Sequence, residues 1–132
     1  MDHLIINGAY LSSTGGLNPT DFTNDPELLL QELKLSFEAN VAGPLFAINA
    51  FLPLLRTGKE KRVTYISSGV ADIPETIETR IANSVPYAAS KAGGNIVIAK
   101  FAAELRDEGF VFLSVAPGGV ATETMTDMSK CE

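Results

Sequence analysis

Leu4-Ile5-Ile6 is a short continuous apolar run, and turn-forming residues follow it: Asn7, Gly8, Ser12, Ser13, Gly15, Gly16, Asn18 and Pro19. The pattern predicts a buried strand that ends in a loop. Apolar residues then recur at helical spacing, through Leu29, Leu30, Leu33, Phe37, Val41, Leu45, Ile48, Leu52 and Leu55, down to Thr57-Gly58. This predicts one long helix with a wide apolar stripe. Asp25-Pro26-Glu27 supplies its start: an N-cap, a proline at the first helical position and a carboxylate in the first turn. Pro44 lies inside that helix and removes the bond to the carbonyl four residues earlier, which belongs to Asn40. Arg62-Val63-Thr64-Tyr65-Ile66 is β-branched and aromatic, so it predicts a second strand, ended by Ser67-Ser68-Gly69. Residues Asp72 to Ser84 carry acids and little apolar pattern, and predict a loop.

A second helix is predicted from about Tyr87 to Glu108, stopping at Gly109, a standard residue just beyond a helix end. Its apolar positions lie nearly all round, so it should be buried on more than one side. Gly93-Gly94 weakens it by ~1 kcal/mol per glycine relative to alanine, a cost that close backbone packing, with a partner helix for instance, would offset. Phe110 to Ala116 is the third apolar strand. Strand, helix, strand, helix, strand makes two βαβ units and a parallel three-stranded sheet. Right-handed crossovers advancing one way put both helices on one face. The other face should then be bare and apolar, an assembly or aggregation surface.

Composition narrows the function. At 132 residues the chain is at most one domain. Its net charge of −6, with no basic stripe, argues against general binding to nucleic acid or acidic membranes. No uninterrupted apolar run reaches membrane-spanning length, Pro44 and Pro53 breaking the longest. Met1-Asp2-His3-Leu4 has no basic leader region. The single cysteine, Cys131, cannot form an internal disulfide, which fits a reducing, cytoplasmic compartment. With His3 as the only histidine, a histidine-based triad or a multi-histidine metal site is poorly supported.

The candidate chemistry sits in Val85-Pro86-Tyr87-Ala88-Ala89-Ser90-Lys91. Tyr87 and Lys91, four residues apart, lie one above the other on a helix face. An ammonium beside a phenol favours phenolate and lowers the tyrosine pKa toward neutrality, making a proton donor and acceptor. The plain alternative is a core tyrosine and a solvated surface lysine.

Tyr87-Ala88-Ala89-Ser90-Lys91 resembles the Y-x-x-S-K signature of the short-chain dehydrogenase/reductase family. Asn7-Gly8-Ala9, Asn40-Val41-Ala42-Gly43, Ile66-Ser67-Ser68-Gly69 and Pro117-Gly118-Gly119-Val120-Ala121-Thr122 appear in the family's order, near the family's spacing. Asn7-Gly8-Ala9 is a partial match to the family's N-N-A-G. The nineteen positions from Ser68 to Tyr87 resemble the C-factor-like branch, which carries an insertion there. The resemblance implies a partial Rossmann-like, doubly wound α/β fold over residues 1–132, with three parallel strands and two long helices on one face. It implies hydride transfer between NAD(P), NADP ahead of NAD, and a carbonyl or alcohol carbon of a small molecule.

In that reading Tyr87 is the proton donor or acceptor, and Lys91 tunes it and binds the nicotinamide ribose. Ser68 holds the substrate carbonyl, and the Asn40 main-chain carbonyl anchors a water that leads to Lys91. Asn7, Gly118, Val120 and Thr122 join Tyr87 and Lys91 around the nicotinamide end. A mobile substrate lid would begin at Glu123, and the two long helices would pair with their copies in a homo-oligomer. No Gly-x-x-x-Gly-x-Gly phosphate loop follows an initial strand, because the chain starts at what the family counts as its fourth strand. The expectation is therefore a catalytic half, truncated before its dinucleotide cradle and at its C-terminal end. The competing function is a non-catalytic fragment or interaction module that uses the helix pair and the bare sheet face.

Overall fold

A computed structural model describes residues 1–119 of the chain. Three strands, β1 (His3–Ile6), β2 (Arg62–Ile66) and β3 (Val111–Val115), form one parallel sheet in the order β1-β2-β3. Ile5 lies opposite Thr64, and Thr64 opposite Leu113, so the strands are in register. The long helix runs unbroken through α1 (Pro26–Phe37), a π-helical turn (Glu38–Ala42) and α2 (Gly43–Arg56). A short helix α3 (Ile73–Thr79) and the long α4 (Val85–Glu104) lie between β2 and β3. The expected three-strand, two-crossover topology is the observed one.

The core lies on one face of this sheet. Ile48 and Leu55 from α2 and Ile98 and Phe101 from α4 pack with Val63 and Tyr65 of β2, with Leu4, Ile6 and Phe112 at the margin. The opposite face is open: Ile5 is 58% exposed and Leu113 52%, so its apolar side chains have no cover among the described residues.

Local chemistry explains the helix ends. The Asp25 carboxylate accepts from the Leu28 N–H at 3.0 Å, with Pro26 at the first position. Pro44 has no N–H to give Asn40, and the chain answers with the π turn, in which the Gly43 N–H reaches the Glu38 carbonyl. After α4 a short 3₁₀ turn leads into Gly109 at φ +77°, a left-handed conformation that glycine adopts freely.

Three expectations need correction. The stretch from Asp72 to Ser84 is not all loop: Asp72 caps the N-terminus of α3 by accepting from Glu75 N–H at 2.8 Å, a signal that the scarcity of apolar residues hid. The long helix does not turn its whole apolar stripe inward. Its buried line through α1 and the π turn is Glu32, Ser36 and Asn40, while Leu30 is 67% exposed. Counted as one continuous helix, Pro26–Arg56 is also long and apolar enough to span a membrane by composition, because its prolines do not break it. In this fold its α2 part packs on the sheet through Ile48 and Leu55.

Gly93-Gly94 packs within the chain and needs no partner helix. A Cβ on Gly93 would meet Val41 at 3.0 Å and Phe37 at 3.3 Å, and one on Gly94 would press on the Tyr65 ring. The two glycines let α4 lie close on both the long helix and β2.

Candidate active site

Because the strands are parallel, the segments that follow them leave the sheet at one edge, where ligands of open α/β sheets bind. Asn7 follows β1, Ser67-Ser68 follow β2 and Gly118 follows β3, while Tyr87 and Lys91 come from the first two turns of α4. Pro86 is buried at the start of α4, where a missing N–H costs nothing.

Lys91 is 2% exposed, so it is no solvated surface lysine. Its Nζ donates to the Ile66 main-chain carbonyl at 2.7 Å and lies 4.8 Å from the Tyr65 ring centroid and 5.8 Å from that of Tyr87. Burial lowers its pKa from the ordinary lysine value. Tyr87 is half-buried, with the Ser68 hydroxyl beside its phenol. Burial raises the Tyr87 pKa, and the neighbouring Ser68 hydroxyl works against that rise. Here the expectation of a lowered tyrosine pKa fails. The ammonium is turned to the Ile66 carbonyl, and desolvation of the ring outweighs its influence. At neutral pH Tyr87 is a protonated phenol.

Asn40 is fully buried and ties three segments together. Its Oδ1 accepts from the Tyr10 N–H at 2.9 Å, and its Nδ2 donates to the Tyr10 carbonyl at 3.1 Å and to Ser90 Oγ at 2.9 Å. Ser90 in turn donates to the Tyr87 carbonyl at 2.8 Å. The Asn40 main-chain carbonyl accepts from Tyr65 Oη at 3.0 Å, and its second lone pair remains as an acceptor.

Sequence reasoning missed the support beneath the loop after β1. Glu32, 4% exposed, accepts from the hydroxyls of Tyr10, Ser12 and Ser13. The Ser12 bond does most to hold its pKa below the ordinary carboxylate range. Ser84, just before α4, donates to the Gly15 carbonyl at 2.8 Å, closing the loop's other side. The available signal was the four-residue spacing of Glu32, Ser36, Asn40 and Pro44. Of the predicted site residues, the structure brings Ser68, Tyr87 and Lys91 together and sets Asn40 behind them. Asn7 and Gly118 lie exposed at the strand ends, while Val120, Thr122 and the segment from Glu123 lie outside the described residues.

The family model for short chain dehydrogenases matches residues 1–132. The chain belongs to that family. The short-chain dehydrogenase/reductase AacuF of Aspergillus aculeatus is 40% identical over 123 residues, 92% of this chain and 46% of that protein. The short-chain dehydrogenase/reductase iacC of Pestalotiopsis fici is 38% identical over 121 residues, 91% of this chain and 44% of that protein. A short chain dehydrogenase from Shigella flexneri, solved with NADP, has a TM-score of 0.73 at 22% identity, covering 94% of this chain and 46% of that one. That likeness shows the fold: the sheet and helices match part of the Rossmann-type fold of that protein. The chain spans about half the length of the curated relatives it matches.

Proposed function

We propose that this chain carries the catalytic half of an NAD(P)-dependent oxidoreductase acting on a small carbonyl or alcohol. The observation that carries the reading is a protonated, half-buried Tyr87 phenol with the Ser68 hydroxyl beside it and the buried Lys91 ammonium beneath. A structural lysine gains little from such burial, since desolvation of a charge is expensive and only one carbonyl among the described residues accepts from it.

The donor set fits a nicotinamide nucleotide. Beyond its bond to Ile66, the Lys91 ammonium has donors left for ribose hydroxyls. Gly118 has φ +81°, and an added Cβ there would meet nothing within 4 Å, so the backbone after β3 is open to a ligand. Asn7, Val120 and Thr122 are the further residues proposed for the nicotinamide end, and NADP is preferred over NAD. When bound, the cofactor supplies or accepts the hydride. In carbonyl reduction the substrate oxygen takes hydrogen bonds from Ser68 and Tyr87. The phenol proton of Tyr87 passes to that oxygen as charge develops on it, and the phenolate left behind is stabilised by Ser68 and the Lys91 ammonium. Alcohol oxidation runs the same path backwards and needs Tyr87 deprotonated.

The same reading includes a cytoplasmic setting and self-association through the long helices. On their outer side Phe46 is 70% and Ile96 62% exposed, beside apolar grooves of ≈ 480 and ≈ 320 Å³.

The test is saturation-transfer NMR of the chain with NADPH and NADH. Stronger saturation of the nicotinamide-ring protons than of the adenine protons, lost in Lys91→Ala, is expected, because the proposed contacts gather at the nicotinamide end. Equal saturation of both rings, or an unchanged pattern in Lys91→Ala, would overturn the assignment.

A further inference from the structure

Tyr65 stands between the two groups that the site depends on. It is fully buried in β2, as Asn40 is in the π turn. Its hydroxyl holds the Asn40 carbonyl that Pro44 releases from the helix ladder, at 3.0 Å. Its ring face lies against the Lys91 ammonium, 4.8 Å from centroid to Nζ. Gly94, one turn beyond Lys91's own, is the position where α4 leaves room for that ring.

The electrostatics around Lys91 are sparse. The ion pairs among the described residues are Lys34–Glu38, Arg56–Glu108 and Glu60–Arg62, so no carboxylate among them pairs with Lys91. What faces the ammonium is one carbonyl, from β2, and two aromatic rings, Tyr65 from β2 and Tyr87 from α4. A ring face carries the negative part of its quadrupole and attracts a desolvated cation.

We propose that Tyr65 is a positioning residue of the candidate active site: its ring holds the Lys91 ammonium beneath Tyr87, and its hydroxyl fixes the Asn40 turn. This deepens the catalytic reading above and rests on it. The Tyr65 hydroxyl bonds the Asn40 carbonyl while its ring faces Lys91, so the side chain that steadies the turn also steadies the cation. One residue thereby couples the geometry of the Tyr10 loop, held by Asn40, to that of Lys91.

The test separates ring from hydroxyl in the 132-residue chain. Tyr65→Phe and Tyr65→pentafluorophenylalanine both lack the hydroxyl and have nearly the same shape, but fluorination reverses the ring quadrupole. A folding cost common to both therefore cancels. The readout is NMR titration of the labelled Lys91 ammonium, assigned with Lys91→Arg. The fluorinated ring is expected to lower the Lys91 pKa by about one unit relative to Tyr65→Phe. Equal values in the two variants would overturn the ring's role. The Asn40 carbonyl ¹³C resonance is expected to move between wild type and Tyr65→Phe, and an unmoved resonance would overturn the hydroxyl's role. Both readouts work without cofactor. An inactive wild type with the expected titrations defeats only the catalytic reading, and an active one with unchanged titrations defeats only this proposal.

Discussion

Gly94 gives the sharpest test of how the site is packed. A Cβ built there would sit 2.6 Å from Tyr65 Cζ and 2.8 Å from Cε1 and would also press on the hydroxyl. The ring cannot swing away cheaply, because it is fully buried and its hydroxyl is bonded to Asn40. Gly94→Ala therefore either breaks that bond or lifts α4 from the sheet. Overpacking of this kind costs about 1–3 kcal/mol, and loss of the buried hydrogen bond adds about 1 kcal/mol. Alanine's better helix propensity returns about 1 kcal/mol, leaving a net loss of about 1–3 kcal/mol. Gly93→Ala is the control: its Cβ meets only the side chains of Val41 and Phe37, and Phe37 is 40% exposed and free to give way. That variant should stay within about 1 kcal/mol of wild type, propensity offsetting the small strain. Urea unfolding followed by circular dichroism measures both. Equal stabilities for the two variants, or a Gly94→Ala chain as stable as wild type, would refute the packing argument.

Asn40→Ala removes a side chain that satisfies both backbone groups of Tyr10 and the Ser90 hydroxyl. Stranding the two Tyr10 backbone groups costs about 1–3 kcal/mol each, while Ser90 keeps its bond to the Tyr87 carbonyl, so urea unfolding should show a loss of about 2–6 kcal/mol and amide exchange should quicken in the Tyr10 loop. Glu32 has its pKa depressed by the Ser12 hydrogen bond first, with Tyr10 and Ser13 adding to it. Its stabilisation is present above the ordinary glutamate range and is lost as pH falls through its lower folded value. Glu32→Gln should therefore be less stable near neutrality and should show a shallower loss of melting temperature on acidification. Tyr87, with its pKa raised by burial, should support carbonyl reduction across neutral pH, with the rate falling only above the ordinary tyrosine range. Alcohol oxidation should rise over that same range, as a pH–rate profile would record.

The strand–helix order was legible because its signals are local: continuous apolar runs, the Asp25-Pro26 cap and the stop at Gly109. The Tyr87–Lys91 pair was legible from spacing, and the break at Asn40 from Pro44. What filled the break was not. Tyr65 reads as an ordinary strand aromatic, and only the crossing of β2 under the π turn brings its hydroxyl to the Asn40 carbonyl. Nor did apolar periodicity identify the buried side of the long helix, because its line of Glu32, Ser36 and Asn40 is polar, and Glu32 and Asn40 are satisfied by the Tyr10–Ser13 loop, distant in sequence. Burial, a property of the whole fold, likewise reversed the expected direction of the Tyr87 pKa. The charge of Lys91 is visible in the sequence; the desolvation of Tyr87 is not.

The central claim is that Tyr87, Ser68 and Lys91 serve a hydride transfer from a nicotinamide nucleotide. The most direct measurement supplies the chain with cofactor deuterated at the transferring position, together with a panel of aldehydes and ketones, and examines the alcohol products by mass spectrometry. Single turnovers suffice, so weak cofactor binding does not hide the result. Deuterium on the former carbonyl carbon with the wild-type chain, and none above background with Tyr87→Phe, is the predicted result. No label from either cofactor, or equal label with the Tyr87→Phe chain, would contradict it.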